Sequence, residues 1–110
     1  MKVRLVQPAL VELDEAADWY AAISAALEQR FLAEVAMARM RIAEHPNAWH
    51  PLDDRLRRYR LQSFPYGLIY AAGIDDLVIV AIAHLHRQPE YWRDRLPLVD
   101  LPGGGSELPE

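Results

Sequence analysis

Residues 77–85 read Leu-Val-Ile-Val-Ala-Ile-Ala-His-Leu, and this run decides the fold. It is almost continuously apolar and rich in β-branched side chains, which is typical of a central strand covered on both faces. It is also the longest strongly apolar stretch of the chain and is far too short to span a bilayer. We therefore expect a sheet that holds this strand in its interior.

Two further strands are predicted directly before this run. Residues 66–72 are apolar and aromatic, and the interval Gly-Ile-Asp-Asp at 73–76 is typical of a hairpin turn. Residues 57–64 alternate, which places Arg58, Arg60 and Gln62 on one side and Tyr59, Leu61 and Ser63 on the other. The three strands together predict an antiparallel meander.

The N-terminal half predicts one strand and a pair of helices. Residues 2–7 alternate as a short strand does, and apolar side chains then recur every three or four residues over 9–23. Ser24 breaks this pattern and is suited to cap a second helix, which Pro46 ends. The expected fold class is α+β, in the order strand, helix, helix, strand, strand, strand, with the helical hairpin on one face of the sheet.

The C-terminal residues predict little regular structure. Residues 89–95 are sufficient for one helical turn, and the remainder is rich in proline and glycine. We expect a single domain over residues 1–96 and a flexible C-terminal tail over residues 97–110.

Composition excludes several classes of function. The 110 residues contain no cysteine, which rules out disulfides, thiolate nucleophiles and thiolate zinc sites. The N-terminus has no apolar signal-peptide run, so we expect a cytoplasmic protein without a membrane segment. The net charge is −4, yet residues 55–95 hold seven arginines against four acidic residues. We expect anions to bind in this basic segment, whereas the overall acidity argues against a general nucleic-acid binder.

Several segments, taken in order, carry a resemblance to a known family. They include Leu-Asp-Glu-Ala-Ala-Asp-Trp-Tyr at 13–20, Arg-Phe at 30–31, His-Pro at 45–46, Arg-Arg-Tyr-Arg-Leu at 57–61, Phe-Pro-Tyr-Gly-Leu-Ile-Tyr at 64–70 and Ile-Val-Ala-Ile-Ala-His-Leu-His-Arg at 79–87. Trp49, Pro89 and Tyr91-Trp92 complete the series. The chain resembles the RelE/ParE superfamily of type II toxin–antitoxin systems from about residue 3 to residue 95. It is more similar to the ParE branch, often described as plasmid-stabilisation proteins.

The resemblance implies a toxin that is neutralised by a cognate antitoxin, usually through the antitoxin's C-terminal segment. ParE-like members are described as inhibitors of DNA gyrase, and RelE-like members cleave messenger RNA on the ribosome. The resemblance implies no cofactor. A homodimer or a toxin–antitoxin hetero-oligomer is the expected assembly.

The arginines of the basic segment are the first candidate site. Arg58 and Arg60 share a strand face and Arg87 follows the central strand, so the three are expected to converge beside one end of the sheet. Converging guanidinium groups bind phosphate, and they equally bind an acidic antitoxin segment. The alternative is that they form ion pairs with Asp53, Asp54 or Glu90 on a solvated face.

Two tryptophans and one more arginine extend this candidate surface. Trp49 and Trp92 lie in a loop and a terminal turn, where partial exposure is expected, and exposed aromatic residues often anchor interfaces. With Arg57 they complete the set predicted to bind the target or the antitoxin; packing over the sheet edge is the alternative. Trp19, Tyr20, Phe31, Tyr66 and Tyr70 are expected in the core.

A ribonuclease would need a group that transfers protons as well as arginines that hold the phosphate. Arg60 and Arg87 would bind the phosphate, and the candidates for proton transfer are His84, His86 and Tyr91. His84 shares a face with apolar residues, which favours a packed structural histidine. His84 and His86 also lack a third ligand at a suitable spacing, so no metal site is expected.

The sequence therefore favours a non-catalytic toxin that binds DNA gyrase. The absence of lysine from the basic segment and the acidity of the chain disfavour the alternative, a ribosome-dependent endoribonuclease. A third hypothesis is a family member that binds an antitoxin and is not toxic.

Overall fold

A computed structural model of the protein describes residues 2–102. The strands are β1 (Lys2–Leu5), β2 (His50–Pro51), β3 (Leu56–Arg60), β4 (Tyr66–Ala72) and β5 (Asp76–His84). The helices are α1 (Gln7–Ile23) and α2 (Ala25–Glu44), and a 3-10 helix covers Tyr91–Leu98. The predicted fold class, α+β with a helical hairpin before a meander, is confirmed.

The five strands form one mixed sheet in the order β1-β5-β4-β3-β2. β3, β4 and β5 are the antiparallel meander, whereas β1 pairs with β5 in parallel, from Lys2 opposite Asp76 to Leu5 opposite Ile79. The sequence did not specify the direction of β1. The run that decided the fold is indeed interior, because its strand has a neighbour on each side and its residues 77–83 are buried.

The loop predicted between α2 and β3 contains a short strand. His50 and Pro51 pair with Arg58 and Arg57, so β2 rather than β3 forms this edge of the sheet. β3 also ends at Arg60 instead of extending to Phe64. Beyond Arg60, the backbone N–H groups of Gln62 and Ser63 donate to the carboxylate of Glu34 on α2. These two groups therefore bond to a side chain instead of to a neighbouring strand.

Ser24 makes the sharp junction between the two helices. Its backbone is extended, its N–H donates to the carbonyl of Tyr20 at 3.0 Å, and its Oγ accepts from the N–H of Leu27 at 3.0 Å. One residue thus closes α1 and caps α2. The predicted cap is confirmed.

A cluster of aromatic residues packs in the core between the helical hairpin and the sheet. Tyr20 and Phe31 pack at 5.1 Å between ring centroids, and Phe64 lies 4.9 Å from Tyr20 and 5.2 Å from Phe31. Tyr70 is fully buried and Tyr66 half-buried. These predicted core positions are confirmed.

The expected burial of two tryptophans is wrong in opposite senses. Trp19 was expected in the core but is 67% exposed, because successive helix residues point about 100° apart and Tyr20 takes the inward position. Trp92 was expected to be partly exposed but is only 4% exposed, since it packs on the side of the sheet that the helices leave uncovered.

The chain remains packed beyond the expected helical turn. The 3-10 helix ends at Leu98. After it, Val99 and Leu101 lie partly buried against the core, and Arg4 donates to the carbonyl of Asp100 at 3.1 Å. The first residues of the expected tail, 97–102, therefore contact the domain. Residues 103–110 of that tail lie outside the described residues. Within 2–102, no helix is both long and apolar enough to cross a membrane.

Phe31→Ala is expected to lower the free energy of unfolding by about 3–5 kcal/mol, because it removes a fully buried ring from the aromatic core. Leu32→Ala is the matched control: the neighbouring side chain is 39% exposed, and its loss is expected to cost less than about 1 kcal/mol. Urea denaturation followed by circular dichroism measures both. Equal losses would show that α2 does not pack through Phe31.

Candidate functional site

The candidate site lies where the pairing of β1 with β5 ends. β1 reaches β5 only as far as Ile79, whose carbonyl accepts from the N–H of Val6 at 3.1 Å before the chain turns into α1. Beyond this point, two side chains form hydrogen bonds with the backbone groups of β5 that β1 does not reach. Glu12 of α1 accepts from the N–H of Ile82 at 3.0 Å, and Arg95 donates to the carbonyl of Val80 at 3.0 Å.

The Glu12 carboxylate is the centre of a network of donors. Arg95 donates to its two oxygens at 3.0 and 3.2 Å, and the Tyr91 hydroxyl also donates to it. Arg87 lies 3.7 Å away as a longer ion pair. The side chain of Glu12 is only 10% exposed, so these interactions are poorly screened by solvent. They join α1, β5 and the C-terminal 3-10 helix.

Tyr91 is held as a neutral donor in this network. Burial, the hydrogen bond to Glu12 and the negative charge of Glu12 raise the pKa of Tyr91 well above the ordinary value for a phenol, against the opposing effect of Arg87 and Arg95. Its ring also lies beneath the guanidinium of Arg87, at 3.7 Å from the ring centroid. Tyr91 therefore keeps its proton at neutral pH and directs it to Glu12.

His84, Arg87 and Tyr91 separate two cavities at the end of β5. One, of about 210 Å³, opens towards α1 and is also lined by Glu12, Glu15, Trp19 and Tyr66. The other, of about 220 Å³, lies on the sheet face away from the helices. We call it the Arg58 cavity; besides the three shared residues, Arg58, Leu52, Ile69, Leu85 and Trp92 line it. This junction brings most of the predicted site residues together.

The three predicted arginines converge only in part. Arg58 and Arg87 line the same cavity, whereas Arg60 lies with His86 in a neighbouring cleft formed by residues 60–65 and 85–86. Arg57 points to the other face of β3 and donates to the carbonyl of Trp49 at 2.8 Å. Trp49 itself is half-buried, with its ring 4.6 Å from that of Tyr59.

The alternative hypothesis was that the three arginines form ion pairs with nearby acidic residues, but two of those acidic residues pair with a different arginine. Asp53 and Glu90 both pair with Arg93, at 2.8 Å and 2.5 Å. Burial alone would raise the pKa of Asp53, but hydrogen bonds from Arg93 and from backbone N–H groups outweigh it and lower that pKa. In the described part of the chain, Arg57, Arg58 and Arg60 form no ion pair.

Of the two histidines, His84 packs against the protein and His86 does not. His84 is half-buried, its ring lies 5.0 Å from that of Tyr66 in an edge-on arrangement, and its Nδ1 accepts from the backbone N–H of His86 at 3.1 Å. His86 is exposed, as expected. Over residues 2–102 no group of three potential ligands surrounds them.

Sequence reasoning missed Glu12 and Arg95. Glu12 belongs to none of the predicted candidate sites, although it lies one turn before the buried Ala16, on the inward side of α1. A carboxylate on an inward-facing position was the available signal. Arg95 offered none, because its partners lie 83 and 15 residues away in sequence.

Comparison with known proteins agrees with this architecture. Residues 3–89 match the family model described as the ParE toxin of the type II toxin–antitoxin system parDE. Seven chains of solved structures match. One, from the chromosomal ParDE toxin–antitoxin system of P. aeruginosa, has a TM-score of 0.64 and 15% sequence identity, over 77% of this chain and 96% of that chain. No curated protein matches the sequence.

Glu12→Gln is expected to lower the free energy of unfolding by about 3 kcal/mol, because it leaves Arg95 half-buried without its counter-charge. Glu15→Gln, an exposed carboxylate on the same helix that lines the same cavity, should change it by less than about 0.5 kcal/mol. Chemical denaturation measures both variants. Equal effects would remove Glu12 from its central role.

Alkaline pH is expected to destabilise the protein partly through Tyr91. Its folded-state pKa is raised, so its contribution to stability is complete below pH 10 and is lost as the pH rises towards the folded value. Tyr70, whose pKa burial raises to about 12, contributes in the same direction. The free energy of unfolding measured above pH 10 should fall less steeply in Tyr91→Phe than in the wild type; parallel curves would refute the assignment.

Proposed function

This chain belongs to the ParE toxin family of type II toxin–antitoxin systems, and from that premise we propose that it is a toxin neutralised by a cognate antitoxin and directed against DNA gyrase. In this proposal it acts by binding, in the cytoplasm, without a cofactor and without catalysing a reaction. Its inactive form is a toxin–antitoxin hetero-oligomer.

The main support for a non-catalytic toxin is that two groups a ribonuclease would use for proton transfer already form hydrogen bonds within the protein. Tyr91 donates a hydrogen bond to Glu12 and has a raised pKa, which disfavours it as a proton acceptor. The Nδ1 atom of His84 already accepts from His86. A general acid or base must be within hydrogen-bond reach of the reacting proton, and the Tyr91 hydroxyl and the Nδ1 atom of His84 are engaged within the protein instead.

The arginines support a binding role at the same end of the sheet. Arg87 is 57% exposed and Arg60 is exposed, and Arg58 lies between them and the apolar sheet face. This arrangement offers cations beside apolar walls, which suits a protein segment that carries both acidic and apolar side chains better than a nucleic-acid backbone. We propose Arg58, Arg60 and Arg87 as the target- or antitoxin-binding surface.

The surface proposed from the sequence is reduced by three residues. Trp92 is buried, Trp49 packs against Tyr59, and Arg57 is bonded to the Trp49 carbonyl. These residues support the strands that carry the surface. We do not retain them as contacts to a partner.

One observation favours the ribonuclease as a second candidate. Arg87, His84 and Tyr91 all line the same pair of cavities, so a phosphate held by Arg87 would lie near two groups that carry protons. For catalysis, Tyr91 or His84 would have to leave its present hydrogen bond. The functional test therefore has to separate DNA synthesis from translation.

The test is inducible expression in a bacterial host, with DNA synthesis and translation followed by labelled precursors, and then a supercoiling assay with purified gyrase. We expect DNA synthesis to stop first and supercoiling to be inhibited. Arg87→Ala should raise the concentration needed for half-inhibition about tenfold, as expected for loss of one interface arginine. Arg55→Ala is the control, because Arg55 is exposed and lies outside the proposed surface.

Other outcomes have definite meanings. If translation stops first and messenger RNA is cut, the ribonuclease replaces the gyrase inhibitor. If growth, DNA synthesis and translation all continue, the chain is a family member that is not toxic in that host.

A further inference from the structure

The guanidinium of Arg58 lacks the partners that a half-buried cation requires. Its Nε atom is buried and has no hydrogen-bond partner among residues 2–102, and the side chain forms no ion pair there. A buried polar group without a partner costs free energy, and a charged one costs more. An external anion would supply the counter-charge that Arg58 does not receive from the described residues.

The fold holds Arg58 in this position through Gly67. A Cβ on Gly67 would lie 3.2 Å from Cγ and 3.3 Å from Cδ of Arg58, and 3.5 Å from a methyl group of Leu85. The arginine stem therefore lies on β4 in the space that the missing side chain leaves. It runs from β3 towards the end of β5, where Arg87 follows.

The Arg58 cavity has the size and lining for one side chain. It measures about 220 Å³, and Leu52, Ile69, Leu85 and Trp92 supply apolar walls. Arg87 stands at its rim with an exposed guanidinium. Among residues 2–102, the one carboxylate that lines the cavity, Glu90, is already paired with Arg93.

We propose that the Arg58 cavity is a receptor for a single carboxylate side chain of a partner protein, a glutamate or aspartate flanked by apolar residues. Arg58 donates to the carboxylate from within the cavity, and Arg87 neutralises it at the rim. The inference rests on the proposed function for the identity of the partner, which is the antitoxin or the target. The site itself is a property of this chain.

The lining favours a carboxylate over a phosphate. A phosphate of nucleic acid carries its hydration and a charged backbone, which four apolar walls and an acidic protein oppose. The methylene groups of a glutamate instead fit those walls. The planar guanidinium presents paired donors that match the two oxygens of a carboxylate.

The test uses the full chain and small probes. Thermal unfolding is measured with N-acetylglutamate, inorganic phosphate or sodium chloride at equal ionic strength. Binding to the folded state raises the midpoint, by roughly 5 °C when the probe is at ten times its Kd. We expect that shift with N-acetylglutamate, and a clearly smaller one with phosphate and with sodium chloride.

Arg58→Met keeps the apolar stem and removes the charge, so its midpoint should not respond to N-acetylglutamate. Arg58→Lys keeps the charge without the paired donors and should bind at least tenfold more weakly; it covers the case in which Arg58→Met does not fold. Gly67→Ala should also weaken binding, since the added methyl displaces the stem. Arg55→Met, at an exposed arginine outside the proposed surface, should respond as the wild type does.

Equal shifts in the wild type and Arg58→Met would overturn the proposal, as would equal shifts with N-acetylglutamate and sodium chloride. A larger shift with phosphate would replace the carboxylate by a nucleic-acid phosphate. These measurements need neither gyrase nor a host cell. Failure here would leave the gyrase assay standing, and failure of the gyrase assay would leave the carboxylate receptor standing.

Discussion

The structure depends on one half-buried carboxylate. Glu12 receives a backbone N–H of β5, the hydroxyl of Tyr91 and the guanidinium of Arg95, and through them it ties the first helix to the central strand and to the C-terminal 3-10 helix. The parallel pairing of β1 ends at Ile79, so the next backbone groups of β5 would otherwise be open. Glu12 and Arg95 close this gap with side chains, which also removes an exposed strand edge as a site of unwanted pairing.

Local signals predicted most of the fold, and long-range contacts account for what they missed. The β-branched run of β5 and the cap at Ser24 each depend on a few consecutive residues, and both predictions are confirmed. The two-residue strand β2 exists only because β3 lies beside it, and no propensity marks it. The burial of Trp92 has the same origin, because it depends on the sheet face against which this residue packs. Trp19 has a local explanation, since the helical period defines a face but not which aromatic residue on its border turns inward.

The site was predictable as a list of residue types and less so as a geometry. Strand alternation placed Arg58 and Arg60 on one face, yet only Arg58, whose stem lies over Gly67 of the next strand, lines the same cavity as Arg87. The group that organises the site, Glu12, is in contact with residues about 70 or more positions later in the sequence. Contacts at such separations produce no periodic pattern in the sequence. The available sign was a carboxylate at an inward-facing position of a helix.

The parallel pairing of β1 with β5 has a consequence for how the chain is made. Lys2 pairs with Asp76, and the intervening elements must exist before the two strands meet. On the ribosome, which synthesises from the N-terminus, the first strand therefore waits without its neighbour until almost all of the domain has emerged. The sheet is therefore completed late, and the nascent chain cannot assemble its Arg87 end of the sheet while it is still short.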